Sequence, residues 1–474
     1  MADAKGTGPN SYEIVKAELT AHRAPGFKFD IKDAIASIIL YEHLELPYMT
    51  GKLIVIDTVD IFGLVGFQGT EILEFEAIYS KDDTSNGSSI TKKFVVTSIS
   101  KSQKMNDNTD GIILNLTEEH FFKNKIEVIS RAYDGKPNEI IKALFEDAEL
   151  DKEIEILGDI EIQEPLKYLV PYTTPMEAAM VVKESATTVE GYPYFLYSTI
   201  ADPDKLYYTN LGYLLDQAQS PMSRTPFTYA LYATGKADED GDIYDPRNPN
   251  AASQANQLDL EERSRFIEKY SVTNTQNTIN FMQRGHIGST NEYVNVNQFE
   301  YDDYRHDMYE QLELLKDKFP NDQNLINYDR LAFSGDLHMK DGRYNTRLYA
   351  SHLYSDAKAN IYDTGTTLGE NLKHLSTSTA LKAFMEKSAI DVEVPSYLFW
   401  PRGFGIPGKT IGRRIPLRFF TNDVGDDDEN REQTEKYDRD RSGEYLIYAA
   451  SHNFSEDKYS VSLTCVKYSN LRMT

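Results

Sequence analysis

Two stretches far apart in the chain share one layout: FVVTSISKSQKMNDNTDGIILNLT at 94–117 and YLIYAASHNFSEDKYSVSLTC at 445–465. Each reads as an alternating strand, a polar reversal and a second alternating strand. In the second, Tyr459, Val461, Leu463 and Cys465 alternate with Ser460, Ser462 and Thr464, so the apolar set faces one side of a sheet. Upstream of each lies a glycine with an apolar residue three places on, Gly69 to Ile72 and Gly408 to Ile411. A strand follows, EILEFEAIY or RRIPLRFF, and then a polar loop. That loop is short around KDDTSNGSS and long from Thr421 to Gly443, where nine acidic residues stand against four basic ones. Different loop lengths on a shared frame are what surface loops tolerate, so the order reads as a duplicated β-domain.

The rest of the chain fits around this repeat. Residues 11–119 carry the strands YEIVKAEL, SIILYEHL, GKLIVID, EILEFEAIY, KFVVTSIS and GIILNLT, which predict a first antiparallel barrel or sandwich. Residues 120–212 predict a small α+β domain. One helix presents Ile140, Ile141, Leu144 and Phe145, and a second follows a capping box at Thr174 to Glu177 and ends at Gly191. PYFLYSTI, the turn ADPD and KLYYTN then form a hairpin. Residues 213–262 are polar and read as an extended linker, and 263–300 with 376–474 form the second barrel around an insertion at 301–375. The insertion is expected to hold a charged helix near 303–319, and a later helix with Leu381, Phe384 and Met385 starts at Ser376 or Thr377. The expected fold class is α+β, dominated by antiparallel strands.

Composition narrows function. The chain has 474 residues, enough for about three domains. No run of eighteen apolar residues is present, and the opening MADAKGTGPNSYEIVKAE lacks the apolar core of a signal peptide, so synthesis and assembly in a cytoplasm are expected. A single Cys465 supports neither an internal disulfide nor a thiolate metal site. A formal charge of −25 argues against wrapping nucleic acid, since phosphate binding needs clustered Lys and Arg.

The most chemical-looking stretch is RGFGIPGKT at 402–410. Gly403, Gly408, Lys409 and Thr410 fit the phosphate-loop pattern, and Gly403, Gly405 and Gly408 fit the dinucleotide fingerprint. Either motif needs a helix next, yet IGRRIPLRFF places Gly412 and Pro416 where that helix would run. A turn between strands is the better reading. The run Asp238 to Asp242 suggests a calcium loop, but Ile243 and Pro249 occupy positions that need Gly and Glu. The nine histidines include no metal-binding pair, and His452 reads as a structural residue on a strand. No catalytic, cofactor-binding or metal-binding residue is therefore assigned.

The arrangement resembles the baseplate hub subunit of contractile-tailed bacteriophages, a family related to hub modules of contractile secretion machines. The resemblance rests on SYEIVKAEL to LPYMTGKLIVID, KPNEIIKALFEDAEL with TTPMEAAMVVKESA and PYFLY, the split second barrel, and PGKTIGRRIPLRF with the closing hairpin. It implies two tail-tube-like barrels per chain and a homotrimer forming a pseudo-sixfold ring. The implied partners are a sixfold tail tube protein, a trimeric central spike protein and surrounding baseplate proteins. The tape measure protein and DNA would pass through the lumen without sequence-specific binding, and no membrane insertion is implied. The implied setting is the virion tail baseplate, assembled in the host cytoplasm, with no enzymatic activity and no cofactor. The alternative is a β-rich virion or surface protein binding glycans through Tyr-rich strands; a phosphate-loop enzyme ranks last.

Isothermal titration with ATP is expected to show no binding, so Lys409→Ala changes nothing. Nucleotide affinity that this substitution abolishes would restore the phosphate-loop reading.

Overall fold

The computed structural model describes residues 10–20, 27–58, 63, 66–67, 69–79, 89–106, 109–158, 166–216, 226–229, 264–272, 288–295, 300–307, 310, 346–350, 368–387, 389–400, 410–419, 438, 441–455 and 458–470. The first barrel runs through β1 (Glu13–Thr20), β2 (Lys28–Asp30), β3 (Ile35–His43), β4 (Thr50–Asp57), β5 (Ile72–Ile78), β6 (Ser89–Asn106) and β7 (Thr109–Glu118). Alternation decides which face goes inward: in β4, Gly51, Leu53, Val55 and Asp57 are buried while Lys52 and Ile56 are exposed. Neighbours run β3-β4-β7-β6-β5-β1-β2, all antiparallel.

The small α+β region follows with α1 (Glu119–Ile126), β8 (Ala132–Gly135), α2 (Pro137–Asp147), β9 (Glu153–Leu157), β10 (Leu166–Leu169), α3 (Pro175–Ser185), β11 (Tyr194–Ser198), β12 (Lys205–Asn210) and α4 (Leu211–Asp216). Strands β11, β12 and β9 form a three-stranded sheet, and β10 pairs with β8. Its core joins Ile140, Ile141, Leu144 and Phe145 of α2 to Ala178, Ala179 and Val182 of α3 and to Tyr194 and Tyr208, whose rings stack 5.0 Å apart. Two details differ from the sequence reading. Thr174 is the N-cap of α3 without a side-chain capping bond, and Glu177 instead accepts from the Thr173 hydroxyl at 2.8 Å. The helix ends at Ser185 because Ala186 is already extended, and Gly191 sits in a later turn that donates to the Thr188 carbonyl.

The second barrel starts with β13 (Phe227–Tyr229) and β14 (Lys269–Ser271). Then come β15 (Gly288–Asn295), β16 (Glu300–Asp307) and β17 (Thr346–Ala350), which form their own sheet in the order β16-β15-β17. This corrects the assignment of 263–300 wholly to the second barrel, since β15 pairs only within that separate sheet. It also corrects the start of the charged helix at 303–319: Asp303 to Asp307 continue β16, paired to Glu292 through Gly288. Alternating cross-strand pairing there wins over the helical spacing of charges. The rest of that helix and the linker from 230 to 262 lie outside the described residues, apart from Glu310.

Helix α5 (Leu368–Lys387) begins well before Ser376 and Thr377, which lie inside it. The Thr377 hydroxyl donates to the Lys373 carbonyl, satisfied within the helix and not as a cap. The barrel closes with β18 (Ala389–Pro395), β19 (Arg414–Phe419), β20 (Gly443–Ser455) and β21 (Tyr459–Asn470). One hydrophobic core runs through both barrels, from Leu40 and Phe75 to Trp400, Ile447 and Leu463. The protein is β-dominated.

A buried polar cluster fixes the small region to the first barrel. Lys92 of β6, almost fully buried, donates to Glu118 Oε1 at 3.1 Å and to the Asp202 carbonyl at 3.0 Å. Lys152 lies 3.4 Å from the same oxygen, and the Met49 N–H donates to Glu118 Oε2 at 2.8 Å. Burial works against ionising Glu118, but Lys92 beside it prevails and holds its carboxyl well below the usual range. Next to it, His120 Nε2 donates to the Pro47 carbonyl at 2.8 Å, and burial pulls its imidazole down to about 4.

These shifts set a pH dependence. The unfolded imidazole takes its proton below its ordinary value of 6.5, whereas the buried ring stays neutral to about 4, so stability falls with pH across that window. Glu118 adds to the loss below the ordinary carboxylate value of 4.5. Urea midpoints measured at pH 7 and pH 5 should show a loss of about 2 kcal/mol attributable to His120. In His120→Gln, which retains a donor for Pro47, most of that difference should vanish; an unchanged profile would remove His120 as its source.

Candidate assembly interface

The two barrels meet strand to strand. One edge of β3 pairs with β4, and the other takes β20 in antiparallel register, from Ser37 against Ser455 to His43 against Ala449. The largest sheet among the described residues therefore runs unbroken through both barrels, with thirteen strands. The pairing continues at the strand end, where the Leu44 N–H donates to the Tyr448 carbonyl at 2.9 Å.

Beneath it lies a buried polar network. Ile38, Leu40 and Glu42 share the inward face of β3, while Ala450, His452 and Phe454 share that of β20. His452 Nε2 is 3.1 Å from Glu42 Oε1, and His452 Nδ1 is 2.7 Å from the Tyr459 hydroxyl. Glu42 Oε2 accepts from the Ile200 N–H at 2.9 Å. With Nε2 donating to Glu42 and Tyr459 donating to Nδ1, every partner is satisfied. Arg413 is buried close by, its guanidinium pulled down to about 10 by burial against the opposing charge of Glu42. Four segments thus meet at one carboxylate: β3, β20, the turn into β19 and the β11–β12 turn.

A second cluster closes the rim. Glu45 accepts from the Tyr448 hydroxyl at 3.0 Å and pairs with Lys183 of α3, whose side chain is fully buried. Lys382 of α5 reaches Glu45 at 3.9 Å and Glu184 at 2.7 Å. From the N-terminal side, Tyr12 packs its ring against Phe454 and Tyr459, at 5.5 and 6.3 Å.

Register makes the duplication explicit. Val96 pairs with Leu116 and Ile447 with Cys465, each immediately before a bulge. The Val96 N–H donates to the Glu71 carbonyl at 2.8 Å, and the Ile447 N–H to the Arg413 carbonyl at 2.9 Å. Ile72 pairs with Val95, and Arg414 with Leu446. Hence β3, β4, β5, β6 and β7 correspond to β14, β18, β19, β20 and β21, with antiparallel neighbours in the same order. The glycine match drawn from the sequence is corrected: Gly69 corresponds to Ile411, three residues past Gly408. Matching Ile72 to Ile411 by type ignored the backbone bonds that set register. The left-handed glycine of the second copy is Gly412, at φ 77° beside 75° for Gly69. A side chain at Gly412 would also crowd Tyr197 and Leu214, both 3.3 Å away.

The residues weighed from sequence fall as follows. Residues 401–409, with Gly403, Gly405, Gly408 and Lys409, lie outside the described residues, as do Asp238 to Asp242 and nearly all of the acidic loop. Thr410 is buried, and the segment after it enters strand β19. His452 does lie on a strand. Cys465 is buried in β21 with its thiol pushed up by burial, which suits a core residue. Among the described residues, no group of three or more His, Cys, Asp or Glu is placed to hold a metal, and no helix is long and apolar enough to cross a membrane. The tyrosines of β11 and β12 are buried, so a glycan could not reach them. Sequence reading missed Glu42; its signal was an acid continuing the inward alternation of Ile38 and Leu40.

No family model and no curated protein matches the chain. Solved structures of similar fold include the tail protein from Neisseria meningitidis MC58, 11% identical, with 96% of each chain covered and a TM-score of 0.46. The 43 kDa tail protein of prophage MuSo2 from Shewanella oneidensis is 9% identical, covering 95% of this chain and 98% of that one, at 0.47. The E. coli c3393 protein, a component of the type VI secretion system, is 8% identical over 98% of this chain and 79% of that one, at 0.39. These likenesses concern the fold.

Removing the carboxylate at the joint should be costly. Glu42→Ala leaves His452, the Ile200 N–H and Arg413 facing an apolar gap and should lower stability by about 3 kcal/mol or more. Glu42→Gln, which keeps an acceptor for Ile200, should cost less. Equal losses in equilibrium urea unfolding would show that the acceptor at Ile200 contributes nothing.

Proposed function

We propose that the chain is a structural baseplate hub subunit of a contractile phage tail. The observation that carries this reading is the edge-to-edge joint of β3 and β20 between two barrels of one strand order. Such a joint is heterologous: it places two similar units side by side with their free edges still pointing around the same path, which is how rings are built. Three chains of two barrels each would offer six similar units to a sixfold tail tube on one face while keeping threefold symmetry for a central spike on the other.

The remaining parts fit that role. The acid excess of the chain, with a formal charge of −25, suits a passage that DNA crosses by repulsion and without sequence-specific binding. The small α+β region is tied to the first barrel through the buried Lys92–Glu118 cluster, and its exposed surface would meet the surrounding baseplate proteins. The domain limits 11–119, 120–212, 213–262, 301–375, and 263–300 with 376–474 belong to this proposal, with β15 moved to the insertion, α4 extending the small region to Asp216 and β13 taken from the linker into the second barrel. No chemistry is assigned to the chain.

Native mass spectrometry of the purified protein should give a species of three times 54.0 kDa, and negative-stain electron microscopy should show hollow rings. A persistent monomer at micromolar concentration that binds sugars on a glycan array would replace the hub by the glycan-binding alternative.

A further inference from the structure

The backbone pairing that leads from β10 into α3 carries an irregularity. Beyond β8 and β10 the ladder continues: the Val170 N–H donates to the Arg131 carbonyl at 2.9 Å, and Ile129 and Thr173 exchange bonds at 2.9 and 3.2 Å. Between those two rungs Ser130 alone faces Pro171 and Tyr172, a bulge of two residues against one. Tyr172 takes the left-handed position there, at φ 52°. Glycine adopts that conformation freely, whereas a tyrosine in it is strained. The side chain gains little packing in return, being 73% exposed. Strain held at an exposed aromatic residue points to a use outside the chain.

The facing segment is apolar as well. Ile126 ends α1 at 68% exposure, and Val128 is 46% exposed. Val128 and Tyr172 each stand next to a bridged residue, so the large exposed side chains gather around one rung, unlike the single apolar residues ordinary on a surface. Charge decides what can cover them. Between Glu119 and Asp216 nineteen acidic residues stand against nine basic ones. The cations of these segments are already paired: Lys123 with Asp151 at 2.6 Å, Lys125 with Glu177 at 3.1 Å and Arg131 with Asp147 at 2.7 Å. Glu127, set between Ile126 and Val128, is exposed and has no ion-pair partner among the described residues. A nucleic acid or an anionic membrane would be repelled here. A second copy in an isologous contact would oppose one anionic patch to another and is equally disfavoured.

We infer that Ile126, Glu127, Val128 and Tyr172 form a docking site for an arginine-bearing segment of another protein, in which aliphatic side chains alternate with the cations. Arginine suits both features of the site: its guanidinium pairs with the Glu127 carboxylate and lies flat on the Tyr172 ring, which a lysine does less well. The aliphatic neighbours of that arginine cover Ile126 and Val128. The inference rests on the hub reading above, in which the small region meets surrounding baseplate proteins, and deepens it by giving the chemistry of the segment that binds here.

The probe is a short fluorescein-labelled peptide alternating valine with arginine, titrated with the whole protein and followed by anisotropy. Saturable binding is expected, weakened about tenfold or more by Glu127→Gln and by Tyr172→Gly, and absent when glutamate replaces the arginines. Tyr172→Gly also relieves the left-handed backbone, so its thermal midpoint should equal or exceed that of the unmodified protein. A lowered midpoint would make the ring a structural part of the fold and overturn the site. Peptide affinity that Tyr172→Gly leaves unchanged would do the same, since it marks general attraction to an acidic surface, as would the lack of any saturable binding. Hollow rings from a protein that does not bind the peptide would overturn this site and leave the hub standing. A persistent monomer that binds it, with both substitutions weakening that binding, would support the site and remove the baseplate around it.

Discussion

Everything in the molecule hangs on the pairing of β3 with β20. It converts two barrels into one sheet and one core, and it does so by backbone hydrogen bonds, which are indifferent to side chain and so specify little by themselves. Specificity comes from the carboxylate of Glu42, which needs His452 from one barrel and the Ile200 N–H from the small region at the same time. Slip β20 by one residue and His452 turns to the other face; slip it by two and the carboxylate loses its partner. A buried polar network is a poor source of stability but a good register mark. The same logic recurs at Glu118, where Lys92, Lys152 and the Met49 N–H locate the small region on the first barrel.

Much of the fold was legible in alternation. The strands of the first barrel, the hairpin of β11 and β12 and helices α2 and α3 all announced themselves by period, because each presents one apolar face to one core. What the sequence did not reveal follows from two causes. Pairing between distant strands leaves no local trace, so β20 against β3 was unreadable although both strands were recognised. Where local preference competed with tertiary context, context prevailed: Asp303 to Asp307 look helical by charge spacing yet extend β16, and Ser376 and Thr377 look like caps yet sit within α5.

Strand order carries the duplication, and backbone register sets its alignment. Order survives divergence because strand connectivity must be conserved for the barrel to close, whereas glycines move by a residue when a turn is rebuilt. Gly69 and Gly412 show this: both are left-handed, yet they stand at neighbouring positions in the two copies. The candidate interface was legible only in hindsight, as Glu42 and His452 each interrupt an apolar face that otherwise alternates cleanly. A charged or imidazole side chain in such a place has to be met from somewhere, and the partner is always worth seeking.

The long stretch of chain between β3 and β20 has a consequence for the making of the protein. During synthesis, β3 emerges with the apolar run Ile38, Ile39 and Leu40 and an uncovered edge, and the strand that will cover it follows only after β4 through β19 have left the ribosome. Through that interval the nascent chain carries a sticky seam, with Glu42 as its only charged interruption from Ala34 to Tyr41 onward to His43. Truncation before Gly443 would make that interval permanent, so β20 acts as an intramolecular chaperone for β3.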